Sequence, residues 1–329
     1  MYAKTGKGKL QTWQDNENQN NPSLYLPSDG LVDAVNVALT LGQPLMLTGE
    51  PGTGKTQLAF HIAHFFDLGK PLRYNAQTTS TATDLFYTYD ALEHFQYNQN
   101  HDKALTNDEL EEKFIHYNAL GAAIIANNRK LVLIDEIDKA PRDLPNNVLA
   151  AIEDLEFSVP QINKTYKANK NERPIIIITS NSEKNLPDAF LRRVVYFHID
   201  FPDAATLLSI LALKSLNFNA LKEKSDSEIE EVKANEQKRL QPLVEHFEHI
   251  RNDFKLKKLP ATAELIFWMQ FLQKSDFEVV NFANLNALSE KDRKTLLTSY
   301  SVLAKNKDDL ELLKNGLGSG TSSSRKKRR

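Results

Sequence analysis

Eight residues, Gly49-Glu50-Pro51-Gly52-Thr53-Gly54-Lys55-Thr56, constrain this chain more than any other stretch. They follow the apolar run Pro44-Leu45-Met46-Leu47-Thr48 and open into a helical pattern through Leu58, Ala59, Ile62, Ala63 and Phe66. Strand, glycine loop and helix in that order are the context in which Gly-x4-Gly-Lys-Thr becomes a phosphate-binding P-loop. The glycines let successive backbone N–H groups curl into a nest for phosphate oxygens, and the new helix adds its positive end. Lys55 offers a point charge for β- and γ-phosphates, and the Thr56 hydroxyl is a ligand suited to Mg²⁺.

At 329 residues the chain is long enough for one large or two ordinary domains. Its 41% hydrophobic and 26% charged residues are those of a globular protein. No apolar run approaches the ~18 residues of a membrane span, and Met1 to Asn21 has no apolar signal core, so no membrane insertion and a cytoplasmic location are expected. Without cysteine there are no disulfides, thiolate zinc sites or thiol catalysis. The pairs His61/His64 and His246/His249 read as ordinary helix residues. A net charge of −2 neither demands nor excludes a nucleic-acid partner.

Along the chain, Met1 to Pro22 is polar and reads as a mobile arm. Ser28 or Asp29 caps a helix with apolar Leu31, Val32, Val35, Val37 and Ala38, ending near Gly42. Pro71 to Asn75 reads as a second strand. Asp84 to Asn128 is too long for a simple crossover and suggests a helix interrupted by an insertion.

Lys130-Leu131-Val132-Leu133-Ile134-Asp135-Glu136 is a buried parallel strand ending in two acids at the ligand edge of the sheet. Strand alternation aims the two acids differently. Asp135 suits the Mg²⁺ shell by way of water, and Glu136 the base that deprotonates the attacking water. Leu144 to Leu155 follows as a helix, then a hairpin-like excursion from Phe157 to Asn171. Pro174 to Asn181 is a second β-branched strand, and its terminal Asn181 is placed to reach the same water. A short helix with Arg192 and Arg193 precedes a last strand, Val194 to Ile199. Beyond Pro202 the pattern is helical: Leu207 to Leu213, Ser225 to Ile250, Ala263 to Leu272, and Ala287 to Leu313.

Taken in this order, the motifs of residues 24–202 resemble an AAA+ ATPase module. The runs Ile134 to Pro141 and Ser180 to Arg193 look like the MoxR-like branch of the dynein-related AAA domain group. That resemblance implies an α/β P-loop NTPase AAA+ module, a parallel sheet sandwiched by helices, followed by an all-α lid domain. It divides the chain into a flexible arm (1–23), a large nucleotide-binding domain (24–202), a lid (203–314) and a Gly/Ser linker with a basic tail (315–329). It implies ATP and Mg²⁺ as cofactors. Nucleotide contacts fall on Gly49, Glu50, Pro51, Gly52, Thr53, Gly54, Lys55, Thr56 and Gln57, the metal on Thr56 and Asp135, and catalysis on Glu136 and Asn181 as base and sensor 1. It also assigns an arginine finger, reaching a neighbouring subunit's γ-phosphate, to Arg193 or Arg192, with Arg193 preferred. The segment Asp84–Asn128 corresponds to the branch's helix-2 insert, and Phe157–Asn171 to its hairpin before sensor 1. One departure stands out: where the family carries its lid arginine, this chain reads Lys257-Lys258-Leu259-Pro260-Ala261-Thr262-Ala263-Glu264, with only Lys257 or Lys258 as a cationic substitute.

The resemblance implies an ATP-hydrolysing hexameric ring that remodels or matures a protein client, typically one bearing a von Willebrand A domain. The alternatives are a nucleic-acid motor or loader, for which Lys164, Lys167, Lys170 and Arg173 supply a basic hairpin, and a nucleotide-gated scaffold or defence sensor. The cationic tail Arg325 to Arg329 suits nucleic acid, a membrane, an import receptor or simply solvent. Lys55→Ala is expected to lose nucleotide affinity, because the charge facing the β- and γ-phosphates disappears; ATP binding unchanged in a titration would remove the loop from the argument.

Overall fold

The computed structural model describes residues 21–101, 105–141, 144–182, 186–216 and 225–318. Most of the expected N-terminal arm, and the basic tail, lie outside the described residues.

The chain enters through α1 (Asp29–Leu41), capped by Ser28, whose Oγ accepts from the Leu31 N–H, and closed by Gly42 in the left-handed region. Strand β1 (Leu45–Gly49) then feeds the glycine loop and α2 (Lys55–Phe65). The later strands of the main sheet are β2 (Leu72–Asn75), β5 (Leu131–Asp135), β8 (Ile175–Thr179) and β9 (Val195–Ile199). Their spatial order is β2-β5-β8-β1-β9, and every neighbouring pair is parallel.

Side-chain alternation divides the sheet between two cores. Met46, Val132, Ile134, Ile176 and Ile178 face one, with α5 (Ala119–Ile125) and α6 (Leu144–Asp154) packed over them. Leu45, Leu47, Leu131, Leu133 and Ile177 face the other, under α1 and α2. Burying a strand on both faces is why these segments read as unbroken Leu/Ile/Val runs, each side chain contributing roughly 1.5–3 kcal/mol.

The 84–128 segment carries the expected insertion, which lies between a 3-10 turn at Thr83–Leu85 and the crossover helix α5. It folds as a two-stranded antiparallel ribbon, β3 (Tyr87–Tyr89) with β4 (Ile115–Tyr117), and α3 (Ala91–Asn100) and α4 (Asn107–Phe114) stand between the strands. The aromatic residues Tyr87 and Tyr117 are register partners, so the alternation signal was spread over too few residues to separate from a helical pattern. The excursion after α6 is a hairpin, β6 (Glu156–Val159) with β7 (Lys164–Lys167). Insert and hairpin are tied together at Glu111. Its carboxylate accepts from Lys164 Nζ at 2.6 Å and from the hydroxyls of Tyr117 and Tyr166 at 2.6 and 2.5 Å. Burial pushes this carboxyl up, but the three donors outweigh it and hold it at about 2.

After the short α7 (Asp188–Leu191) and β9, the rest of the described chain is helical: α8 (Ala204–Ser215), α9 (Asp226–Asp253), α10 (Thr262–Lys274), α11 (Glu290–Leu303) and α12 (Lys307–Gly318). The single helix expected over 287–313 is two. Ala304 turns extended, and Asn306 accepts from the Asp309 N–H at 2.8 Å to begin α12. The core of this region holds Trp268, Phe247 and Tyr300, with Trp268 Nε1 donating to Ser299 Oγ at 2.7 Å.

His246 lies within the same core, stacked on Phe282 and 2.9 Å from the Tyr300 hydroxyl. Burial, with the neighbouring His249 charge adding to it, lowers its pKa from 6.5 to about 4. Because the folded value is depressed, the unfolded chain takes up the proton first. Stability is full above pH ~6.5 and falls as pH drops toward 4, by up to roughly 3 kcal/mol. In thermal melts across that window, His246→Gln is expected to show a shallower dependence on pH than the parent chain.

Candidate functional site

The glycine loop is built by close approaches. Gly49 has φ +145°, and a Cβ there would lie 2.5 Å from the Ile199 carbonyl oxygen, so the loop leaves β1 hard against β9. Gly52, at φ +81°, would bring a Cβ to 2.9 Å from that of Ala261. The segment ahead of α10 therefore presses on the phosphate loop. Lys55 starts α2 as a buried residue, and its Nζ donates to the carbonyls of Gly49 at 2.9 Å and Glu50 at 2.8 Å. Burial lowers its pKa, against the opposing pull of Asp135, Asp138, Glu136 and Glu50. Thr53 Oγ1 donates to the Glu50 carbonyl at 2.9 Å, Pro51 is exposed, and Gly54 and Gln57 line the adjoining cleft.

Asp135 closes β5 only 3% exposed, and a buried carboxylate needs donors. Thr56 Oγ1 reaches its two oxygens at 3.2 and 3.3 Å. The Thr179 hydroxyl, from the end of β8, donates to Oδ1. Arg73, from β2, places a guanidinium nitrogen 2.5 Å from Oδ2. The Thr179 oxygen also accepts the Glu136 N–H at 3.0 Å.

Glu136 is aimed away from Asp135 for a reason other than strand alternation. It has left the strand, in the left-handed region at φ 57° and ψ 48°, a conformation that costs a non-glycine residue about 1 kcal/mol or more. One carboxylate oxygen then lies 3.5 Å from Asn181 Nδ2, and the other 2.5 Å from Lys139 Nζ. The Asn181 N–H is itself held by Asp138 Oδ1 at 3.2 Å.

The structure thus brings Lys55, Thr56, Asp135, Glu136 and Asn181 to one edge of the sheet. It does not bring Arg192 and Arg193 there. Both are exposed just past the end of α7, and Arg193 pairs with Glu153 of α6 at 3.5 Å. Lys257 is also elsewhere, 2.5 Å from Asp308, and the Lys258 N–H bonds to Asp309. The cation that crosses from the helical region is Arg251 of α9. It lies over the Phe201 ring at 3.6 Å, donates to the Pro260 carbonyl and pairs with Glu50 of the phosphate loop at 3.1 Å.

Arg73, Thr179 and Arg251 went unnoticed in the sequence. Thr179 had a signal, a hydroxyl at the end of the four-isoleucine run of β8, level with the acid strand. Arg73 and Arg251 had none, since only strand pairing and helix packing bring them near.

Between the phosphate loop and the helical region lies a cleft of ≈ 790 Å³, its wall including Tyr25, Leu31, Phe201, Ile210 and Phe267. Thr262 Oγ1, on the same wall, is buried without a hydrogen-bond partner among the described residues. An apolar cleft with an orphaned hydroxyl beside an amide nest fits a nucleotide. The Thr56 hydroxyl and Asp135 carboxylate are hard oxygen donors that fit Mg²⁺, which takes one or two protein ligands and completes its shell with phosphate and water.

Parallel sheet, phosphate nest and acid-ended neighbouring strand define a P-loop nucleotide-binding fold. Residues 44–194 match the family model described as the AAA domain of the dynein-related subfamily. Among solved structures, the AAA domain of FIGL-1 in complex with ADP is 14% identical, with 89% of this chain and 87% of that one covered and a TM-score of 0.40. A putative ATPase from Cytophaga hutchinsonii is likewise 14% identical, with 94% of each chain covered and a TM-score of 0.42. No curated protein matches the chain.

Thr179→Val keeps the shape at β8 but strips a hydrogen bond from each of two groups, the Asp135 carboxylate and the Glu136 N–H. A loss of about 1–3 kcal/mol in a denaturant melt is expected, together with weaker magnesium-dependent nucleotide binding.

Proposed function

We propose that the chain hydrolyses ATP, with Glu136 as the base and Thr56 and Asp135 holding Mg²⁺. The observation that carries this reading is the convergence of Lys55, Thr56, Asp135, Glu136 and Asn181 on the phosphate-loop edge of the sheet. Bound magnesium supplies charge neutralisation for the β- and γ-phosphates. The chain's residues do the rest. Loop N–H groups and Lys55 orient the phosphates, Asn181 fixes one oxygen of Glu136, and the other takes the proton of the attacking water. Lys139, on an exposed and solvent-screened pair, must yield that oxygen, at little cost.

In this reading residues 24–202 form the nucleotide-binding domain, 203–314 the lid, and subunits assemble as a ring, in number six, of the MoxR-like kind. Arg193 serves the neighbour's site as the finger. Its present partner, Glu153, is an exposed residue at 3.5 Å, so the guanidinium is free to leave. The client is a protein, with a von Willebrand A domain as the candidate class. Two features support protein over nucleic acid. The hairpin cations Lys164 and Lys167 are neutralised by Asp108, Glu111 and Glu156, and the insert helix α3 exposes Leu92 and Phe95.

Glu136→Gln is expected to bind ATP and assemble while losing most turnover, since the amide keeps the shape and cannot take the proton. Arg193→Ala has an intact pocket and a defective finger, and Glu136→Gln the reverse. Mixing them should restore part of the activity at interfaces that combine both working halves, a finger in trans being worth ~10³–10⁵ in rate. Normal hydrolysis by Arg193→Ala alone, or a freely exchanging mixture that stays inactive, would remove Arg193 from this role.

A further inference from the structure

Asp135 has a competitor for its metal. Its Oδ1 takes the Thr179 hydroxyl, and its Oδ2 is held by Arg73 at 2.5 Å, while Thr56, the other proposed metal ligand, bridges both oxygens at longer distance. Strand register sets this up. Asn75 lies opposite Asp135 and Arg73 opposite Leu133, so Arg73 stands on the same face of the sheet as Asp135, two residues short of it. A guanidinium is permanently charged and cannot resolve the competition by losing a proton. The two ends of the pair differ in freedom, however: the Asp135 side chain is 5% exposed and fixed by two threonines, whereas that of Arg73 is 47% exposed. Arg73 also stands on β2, the edge strand of the sheet, and borders an open polar cleft of ≈ 540 Å³.

We propose that Arg73 is a displaceable counter-ion of Asp135, which neutralises the acid until a hydrated divalent cation takes its place, so that magnesium entry is coupled to release of Arg73. The proposal rests on the reading that Thr56 and Asp135 hold the metal. It gives Arg73 a positioning role and predicts that this chain binds Mg²⁺ with nucleotide less tightly than its ligands alone would allow. The carboxylate gains a cation only by giving one up, and the difference between the two is what metal binding can use.

The test uses the full chain and a fluorescent ADP analogue, titrated in EDTA and in saturating magnesium chloride. The ratio of the two dissociation constants is the magnesium increment, and a thermal melt shows that each variant is folded. Arg73→Ala is expected to raise the increment by about tenfold, the scale of one desolvated charge pair. Arg73→Lys keeps the charge and should stay within about threefold of the parent. Arg73→Gln serves in place of Ala should Ala fail to fold. An increment that is unchanged or smaller in the uncharged variant overturns the role of Arg73, as does a loss of affinity equal in EDTA and magnesium, which would make Arg73 a phosphate ligand or a purely structural residue. A parent chain that binds the analogue equally with and without magnesium overturns the metal assignment of Thr56 and Asp135, and this proposal with it.

Discussion

A carboxylate held almost out of reach of water at the end of a buried strand is the demand around which this site is arranged. Asp135 follows Leu133 and Ile134, both fully buried, and a charge in such a place is costly unless donors meet it. Donors come from three separate elements: Thr56 from α2, Thr179 from β8 and Arg73 from β2. Each can arrive only if β5 lies between β2 and β8 with α2 across their ends. The strand order β2-β5-β8-β1-β9 supplies that arrangement. Sheet topology and acid chemistry are therefore one constraint, and moving any of the three elements by a residue would strand the charge.

The same economy explains why the two neighbouring acids sit in different surroundings. Glu136 could not stay on the strand without entering the opposite core, where Val132 and Ile134 pack. The backbone instead turns left-handed, and the Thr179 oxygen receives the N–H freed by the turn. One hydroxyl thus supports the buried acid with its proton and the turned residue with its lone pair. The exposed Glu136 carboxylate is left between Asn181 and Lys139, able to exchange partners.

Contacts between the helical region and the phosphate loop follow a different logic. Arg251 is nearly buried, stacked on Phe201 and bonded to the Pro260 carbonyl, and its remaining reach ends at Glu50. Together with Ala261 against Gly52, this couples the position of the helices to the shape of the loop. A guanidinium on the long helix α9 reaches the loop here, while the segment 257–264 itself carries no arginine.

Local chemistry alone determined much. Gly49 to Thr56 after an apolar strand, the acids at Asp135 and Glu136, the amide at Asn181 and the β-branched runs between them each sit within a few residues, so periodicity and turn chemistry reveal a parallel α/β sheet with a phosphate site at one edge. Helical patterning after Pro202 was legible for the same reason, apart from the break at Ala304, where the apolar spacing runs on across the gap. Tertiary structure alone decided which side chains complete the site. Arg73 meets Asp135 across 62 positions and Arg251 meets Glu50 across 201, and the insert closes as a ribbon because Tyr87 finds Tyr117. Such pairings depend on register and on the packing of distant elements, and a charge on a strand or helix carries no local mark of the partner that folding will set beside it.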